Sequence, residues 1–129
     1  TSGNTVVFEG DWLQKGVLVM SLAPGEFDEA TVERSRVFLS GTDQVLGDSP
    51  PRKPFPALLA SGKFSREDVA AEFCDVVAGK MPGRLSDDEI ILYESPGMGI
   101  LDVGIASWVY GVACEKGLGT PLPFGEQPT

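Results

Sequence analysis

Five residues late in the chain, Ser95-Pro96-Gly97-Met98-Gly99, have the composition to bring backbone close to a ligand. They follow the apolar run Ile90-Ile91-Leu92-Tyr93 and precede a long apolar stretch. In an open α/β sheet, ligands bind beyond the carboxyl ends of the strands. Glycine there lets main chain approach a ligand, and the amides that open a helix favour an anion or a polar carbonyl. Ser95 adds a hydroxyl that could meet a nicotinamide amide or a ribose. The same spacing also serves a tight strand-to-helix turn with no ligand, and the two readings stand side by side.

Carboxylates are the second source of chemistry: Glu26, Asp28 and Glu29 in one loop, Asp87, Asp88 and Glu89 in another. Paired carboxylates do acid–base work only when one is desolvated enough to shift its pKa. Acids clustered in loops are usually solvated, so neither group is assigned a catalytic role. Glu72 and Asp75 lie beside an apolar stripe, where pairing on a helix surface is expected. Asp102 is suited to capping amides or favouring the dipole of the helix it opens. The chain has no histidine, which excludes a His general base, a His-ligated zinc and a Ser-His triad within it. No GxGxxG is present, so a dinucleotide enzyme of this kind would carry its phosphate-binding loop upstream of Thr1.

These residues must be positioned by elements that the remaining sequence suggests. Val17 to Leu22 is a continuous apolar run between Gly16 and Pro24-Gly25, suited to a strand buried on both faces. Phe27 to Ser35 reads as a short helix and Arg36-Val37-Phe38-Leu39 as a second strand, the βαβ rhythm of an open α/β sheet. Asp48 to Pro54 is a proline-rich surface connection. Phe55 to Ser61 reads as a turn or two of helix. Ser65 and Asp68 form a capping-box pattern ahead of an expected helix whose stripe is Val69, Phe73, Val76 and Val77, ended by Gly79. Ile90 to Tyr93 is the last strand; the capping-box spelling Ser86-x-x-Glu89 is outweighed by the short, β-branched run after it. From Met98 to Lys116 the chain is apolar nearly all round, which predicts a helix buried on every side, between two domains or two subunits.

Composition narrows the classes. The 129 residues suffice for one domain, and ten Lys+Arg against nineteen Asp+Glu give a net charge of −9. That balance argues against nucleic-acid binding, which needs clustered cations. Neither a signal peptide nor an apolar run long enough to span a bilayer is present, so no membrane role is expected. The two cysteines, Cys74 and Cys114, sit in apolar helical patterns and are expected to be buried free thiols in a reducing compartment.

Taken together, several segments resemble the ornithine cyclodeaminase/mu-crystallin family. They are Asp88-Glu89-Ile90, then Ser95-Pro96-Gly97-Met98-Gly99, Asp102, and Lys116-Gly117-Leu118-Gly119-Thr120. Upstream, Ala71-Glu72-Phe73, Val76, Gly79-Lys80 and Pro82-Gly83-Arg84 are similar to the family's preceding segment. Thr1-Ser2, Val7, Glu9-Gly10, Trp12-Leu13 and Gly16 resemble its stretch after the fifth Rossmann strand. The likeness spans nearly the whole chain. The chain opens at Thr1 without Met, at what reads as a strand end, and is read as the back part of a larger enzyme.

The resemblance implies an α/β fold: residues 1–101 as the C-terminal part of a Rossmann-type NAD(P)-binding domain, residues 102–129 as a helix and tail returning to a substrate and dimerisation domain. It implies NAD or NADP as cofactor, an amino-acid or imine substrate, the missing N-terminal half as partner, a homodimer and a cytoplasmic location. Thr1, Ser2, Ser95, Gly97 and Met98 would line the nicotinamide crevice. The implied activity is oxidation or reduction at an amino-acid C–N bond, by deamination, cyclodeamination or opine-type dehydrogenation. The alternative is an NADPH-dependent small-ligand binder of the mu-crystallin type. The family's Asn-Ala-x-Gly-x-Asp loop has no match after Met20-Ser21-Leu22-Ala23, which run into Pro24-Gly25-Glu26, so no catalytic acid–base is assigned. Gly62 to Glu67 and Asp87 to Leu92 look like the N-(2-amino-2-carboxyethyl)-glutamate dehydrogenase subgroup, which makes 2,3-diaminopropionate; Ser95 matches the cyclodeaminase turn instead.

Overall fold

The computed structural model describes residues 5–47, 52–120 and 122. The chain divides between Gly97 and Met98 into two units. The first runs through β1 (Leu18–Ser21), α1 (Glu29–Arg34), β2 (Arg36–Leu39), α2 (Thr42–Leu46), α3 (Phe55–Ser61), β3 (Val69–Glu72), α4 (Phe73–Val77) and β4 (Ile91–Glu94). The strands form one parallel sheet in the order β1-β4-β2-β3. The last strand in sequence therefore sits inside the sheet, between the first two. The expected α/β class with a parallel sheet is what the residues build.

One face of the sheet carries the main core. Val37, Leu39 and Leu92 meet Val32, Val45, Leu46, Phe55 and Leu58 from the helices. Phe27, Phe55 and Phe64 interlock at ring separations of 6.1 and 5.5 Å. The other face is thinner: Phe38, Ala71 and Ile91, with Val76 and Tyr93 at its margin. Within this chain, β1, expected to be buried on both faces, is left uncovered on this one. Leu18 and Met20 are 54% and 61% exposed, because among the described residues the small cluster on this face covers only the strands beyond β1. An apolar run states what a strand prefers, and it does not supply the cover.

The expected helix after Ser65 is also corrected. The capping box forms, with Asp68 Oδ2 accepting from Ser65 N and Oγ at 2.8 Å each, yet it closes a single 3-10 turn, Arg66–Asp68. Val69 then enters β3 and pairs beside β2, from Val37↔Val69 to Leu39↔Glu72. The main-chain partners offered by β2, and the burial of Ala71 against Phe38, outweigh the helical period. Only Phe73–Val77 stay helical, and Phe73 and Val77 are exposed rather than forming a buried stripe.

The entry to α1 is fixed by Asp28. Its Oδ1 accepts from Thr31 N at 2.9 Å, Thr31 Oγ1 at 2.7 Å and Gly10 N at 3.0 Å. The Gly10 backbone lies so close to the start of α1 that a Cβ there would stand 2.5 Å from Ala30 C and Thr31 N. One carboxylate thus caps the helix and holds the incoming chain, which makes Asp28 structural rather than catalytic.

The second unit holds α5 (Gly99–Glu115), with Asp102 in its first turn and Gly117 closing it at φ +63°. Its extent is as expected, and within this chain alone Ile100, Val103, Trp108 and Tyr110 are exposed. Uniform apolarity marks a helix for cover by some surface without saying which one. Cys74 and Cys114 are free, as expected, but both are exposed, one on the short α4 and one on α5. Among the described residues, no helix is long and apolar enough to cross a membrane.

Burial opposes ionisation of Asp28, but the bonds from Thr31 and Gly10 outweigh it and hold its pKa below the usual 3.8. Its contribution is therefore present above the unfolded-state value and is lost as pH falls through the lower folded value. Asp28→Ala should cost about 1 kcal/mol near neutral pH, read by urea unfolding. The gap from wild type should close at pH values below the folded pKa of Asp28.

Candidate functional site

The parallel registers bring the carboxyl ends of three strands into one row, Ser21 beside Glu94 and Glu94 beside Leu39. The chain leaves β4 through Ser95-Pro96-Gly97. Ser95 N donates to Ser21 O at 3.0 Å, and Ser40 N donates to Glu94 O at 3.1 Å, so neighbouring strands fix this exit on both sides. Gly97 takes φ +78°, a conformation in which a side chain is strained, and its N–H donates to Ser95 Oγ at 3.2 Å. Ser95 is buried and Gly97 exposed. The turn therefore presents main chain outward while its serine is folded in.

Beneath it lies a charged pair, Arg52 and Glu94, that joins the proline-rich loop to the end of β4. Glu94 is fully buried and Arg52 is 5% exposed. Arg52 Nε and Nη2 both reach Glu94 Oε1, at 2.6 and 2.5 Å. Arg52 Nη2 also stands 3.5 Å from Ser95 O. Glu94 Oε2 has no hydrogen-bond partner among the described residues. Burial pushes the Glu94 pKa upward, and it outweighs the opposing pull of the Arg52 charge and hydrogen bond; the nearby Glu26 charge adds to the rise. Arg52 corrects the expectation that the proline-rich loop is a plain surface connection. Residues 48–51 of that loop lie outside the described residues.

Glu26 is the carboxylate beside this row. Its Oε2 accepts from Ser21 Oγ at 2.9 Å, Ala23 N at 3.3 Å and Leu22 N at 3.4 Å, so it closes its own loop. Glu29 meets Lys63 at 3.7 Å. Asp87, Asp88 and Glu89 precede β4 and so stand at the opposite end of the sheet, where Asp88 pairs with Lys15 at 2.6 Å. Glu72, at the end of β3, accepts from Thr42 N at 2.7 Å and caps α2, while Asp75 pairs with Lys80 at 3.2 Å. Among the described residues no cluster of His, Cys, Asp or Glu is arranged to hold a metal ion. What remains at the strand ends is suited to positioning a ligand, through main chain and one serine.

Of the residues proposed from sequence, Ser95 and Gly97 are joined in one turn, and Met98 is the residue before α5. Thr1 and Ser2 lie outside the described residues. Arg52 and Glu94 were missed. The available signal was strand alternation: Glu94 stands two residues after Leu92 and shares its buried face.

A model described as the Ornithine cyclodeaminase/mu-crystallin family matches residues 1–117. The chain belongs to the ornithine cyclodeaminase/mu-crystallin family. It is 35% identical over 115 residues to N-((2S)-2-amino-2-carboxyethyl)-L-glutamate dehydrogenase of Staphylococcus aureus, covering 88% of this chain and 33% of the relative. Thermococcus litoralis Delta(1)-pyrroline-2-carboxylate reductase, solved with NADH and L-proline, superposes with a TM-score of 0.77 at 27% identity, over 95% of this chain and 38% of that one. Iminosuccinate reductase of Paracoccus denitrificans, solved with NAD+, gives 0.72 at 26%, over 93% and 37%. This family member thus spans between a third and two fifths of the length of these relatives. The superpositions match its α/β fold, with a parallel sheet, to part of proteins that were solved with NADH and NAD+.

Arg52→Met leaves the Glu94 charge buried without its partner and should cost roughly 3–5 kcal/mol at neutral pH. Replacing both residues by Met removes the unpaired charge and should restore most of that loss. Urea unfolding of the single and double variants measures the difference.

Proposed function

We propose that this chain is the C-terminal part of an NAD(P)-dependent enzyme that oxidises or reduces an amino-acid C–N bond. In the oxidative direction, hydride would leave the α-carbon of an amino acid for the nicotinamide, giving the imine and releasing a proton. The reverse direction would reduce an imine. The observation that carries this reading is the Ser95–Gly97 turn at the carboxyl end of an internal parallel strand, in a chain of this family. The names of several relatives, a pyrroline-2-carboxylate reductase and an iminosuccinate reductase among them, support the substrate class.

In this reading Ser95, Gly97 and Met98 face the nicotinamide, with Thr1 and Ser2 lining the same crevice. Residues 1–101 complete the nucleotide-binding domain and residues 102–129 return to the substrate and dimerisation domain. The pyrophosphate grip and the groups that bind the substrate carboxylate belong to the part of the enzyme outside this chain. We place the enzyme in the cytoplasm as a homodimer; the apolar surface of α5 supports a role in assembly.

The opine-type branch, in which the product supplies 2,3-diaminopropionate, is favoured by the 35% identity to the staphylococcal dehydrogenase. One observation keeps a non-catalytic, cofactor-dependent ligand binder as the second reading. Glu26, the acid nearest the position of the family's catalytic loop, spends its Oε2 on its own turn.

Hydride transfer by the whole enzyme, followed at the NADH absorbance band with amino acids and imines, separates the two. Turnover is expected, and Ser95→Ala should weaken NAD(P)H binding by about five- to tenfold, the worth of a neutral hydrogen bond. Cofactor binding without turnover on any amino acid or imine would favour the binder. No binding at all would refute both.

A further inference from the structure

A buried ion pair contributes little net stability, since desolvation cancels most of the attraction. Its geometry here suggests what else it does. Arg52 spends Nε and Nη2 on a single oxygen of Glu94, and among the described residues Oε2 has no partner. The usual bidentate pair directs two parallel N–H···O bonds to the two carboxylate oxygens. The side-on approach instead carries Nη2 to 3.5 Å from the Ser95 carbonyl. That carbonyl belongs to the first peptide of the turn, and the amide of the same residue is held by Ser21 O at 3.0 Å. Ser95 is thus held by β1 through its N–H at 3.0 Å and faced by the Arg52 guanidinium at its C=O at 3.5 Å. Its hydroxyl is set in turn by the bond from Gly97 N.

We infer that Arg52 and Glu94 are positioning residues that hold the Ser95–Gly97 turn in the orientation needed to receive the nicotinamide carboxamide. Glu94 holds the guanidinium, and the guanidinium biases the direction of the Ser95 carbonyl and so of the peptide that opens the turn. Neither side chain touches the cofactor; Glu94 is fully buried and Arg52 nearly so. This inference rests on the nicotinamide-facing role proposed above for the turn.

The test is a comparison of two ligands on the whole enzyme. NADH carries the nicotinamide, and ADP-ribose carries the rest of the nucleotide without it. In the Arg52→Met/Glu94→Met double variant, NADH affinity should fall by about tenfold while ADP-ribose affinity stays at the wild-type value. Arg52→Lys, which keeps a charge against Glu94 but lacks the second arm toward Ser95 O, should show the same selective loss and decides the matter if the double variant does not fold. Equal weakening of both ligands would reduce the pair to a structural role and overturn the inference. So would unchanged NADH binding in folded variants. Failure of the wild-type enzyme to bind NADH would refute the parent reading instead.

Discussion

A parallel sheet collects the carboxyl ends of its strands along one edge, and that constraint governs the rest of this structure. Because β4 lies between β1 and β2, its exit turn has a neighbour on each side. Main-chain bonds from Ser95 to Ser21 and from Ser40 to Glu94 turn that adjacency into a fixed geometry. The loops bearing Glu26 and Arg52 reach the same edge, one closing on Ser21 and the other on Glu94. The acids at the amino end of β4 are excluded from it by the direction of the strand alone.

Arg52 and Glu94 show how a charged pair can sit inside an apolar face without strengthening it. The face below them is filled by Leu39, Leu92, Phe55 and Leu58, which supply the burial that drives folding. The pair marks where the face ends and the turn begins. A hydrophobic pair there could pack as well, but it could not reach toward a carbonyl. Specific orientation of the exit, rather than added stability, is the role that this geometry suits.

Much of this was legible in the sequence because local signals and tertiary demands agreed. The strand at Arg36–Leu39 and the helix at Phe55–Ser61 form where expected, and the long helix spans Gly99–Glu115 within the expected Met98–Lys116. Where they disagreed, the larger interaction won. Val69 to Glu72 carry a helical period behind a capping box, yet β2 offered a ladder and Ala71 a buried place against Phe38. Leu18 and Met20 read as interior, but hydrophobicity records the need for cover and not its presence. The site was half legible. Ser95 and Gly97 stand out by type and spacing, whereas Arg52 and Glu94 lie 42 positions apart in sequence and meet only through the fold. Nothing local links an arginine in a proline-rich loop to a glutamate at a strand end.

The central claim is that the turn leaving β4 receives the nicotinamide. A crystal structure of the whole enzyme with NADH tests it most directly. The carboxamide is expected within hydrogen-bond distance of the Ser95–Gly97 turn, with Arg52 still between Glu94 and the Ser95 carbonyl. A nicotinamide ring bound elsewhere, with that turn in contact with protein alone, would contradict it.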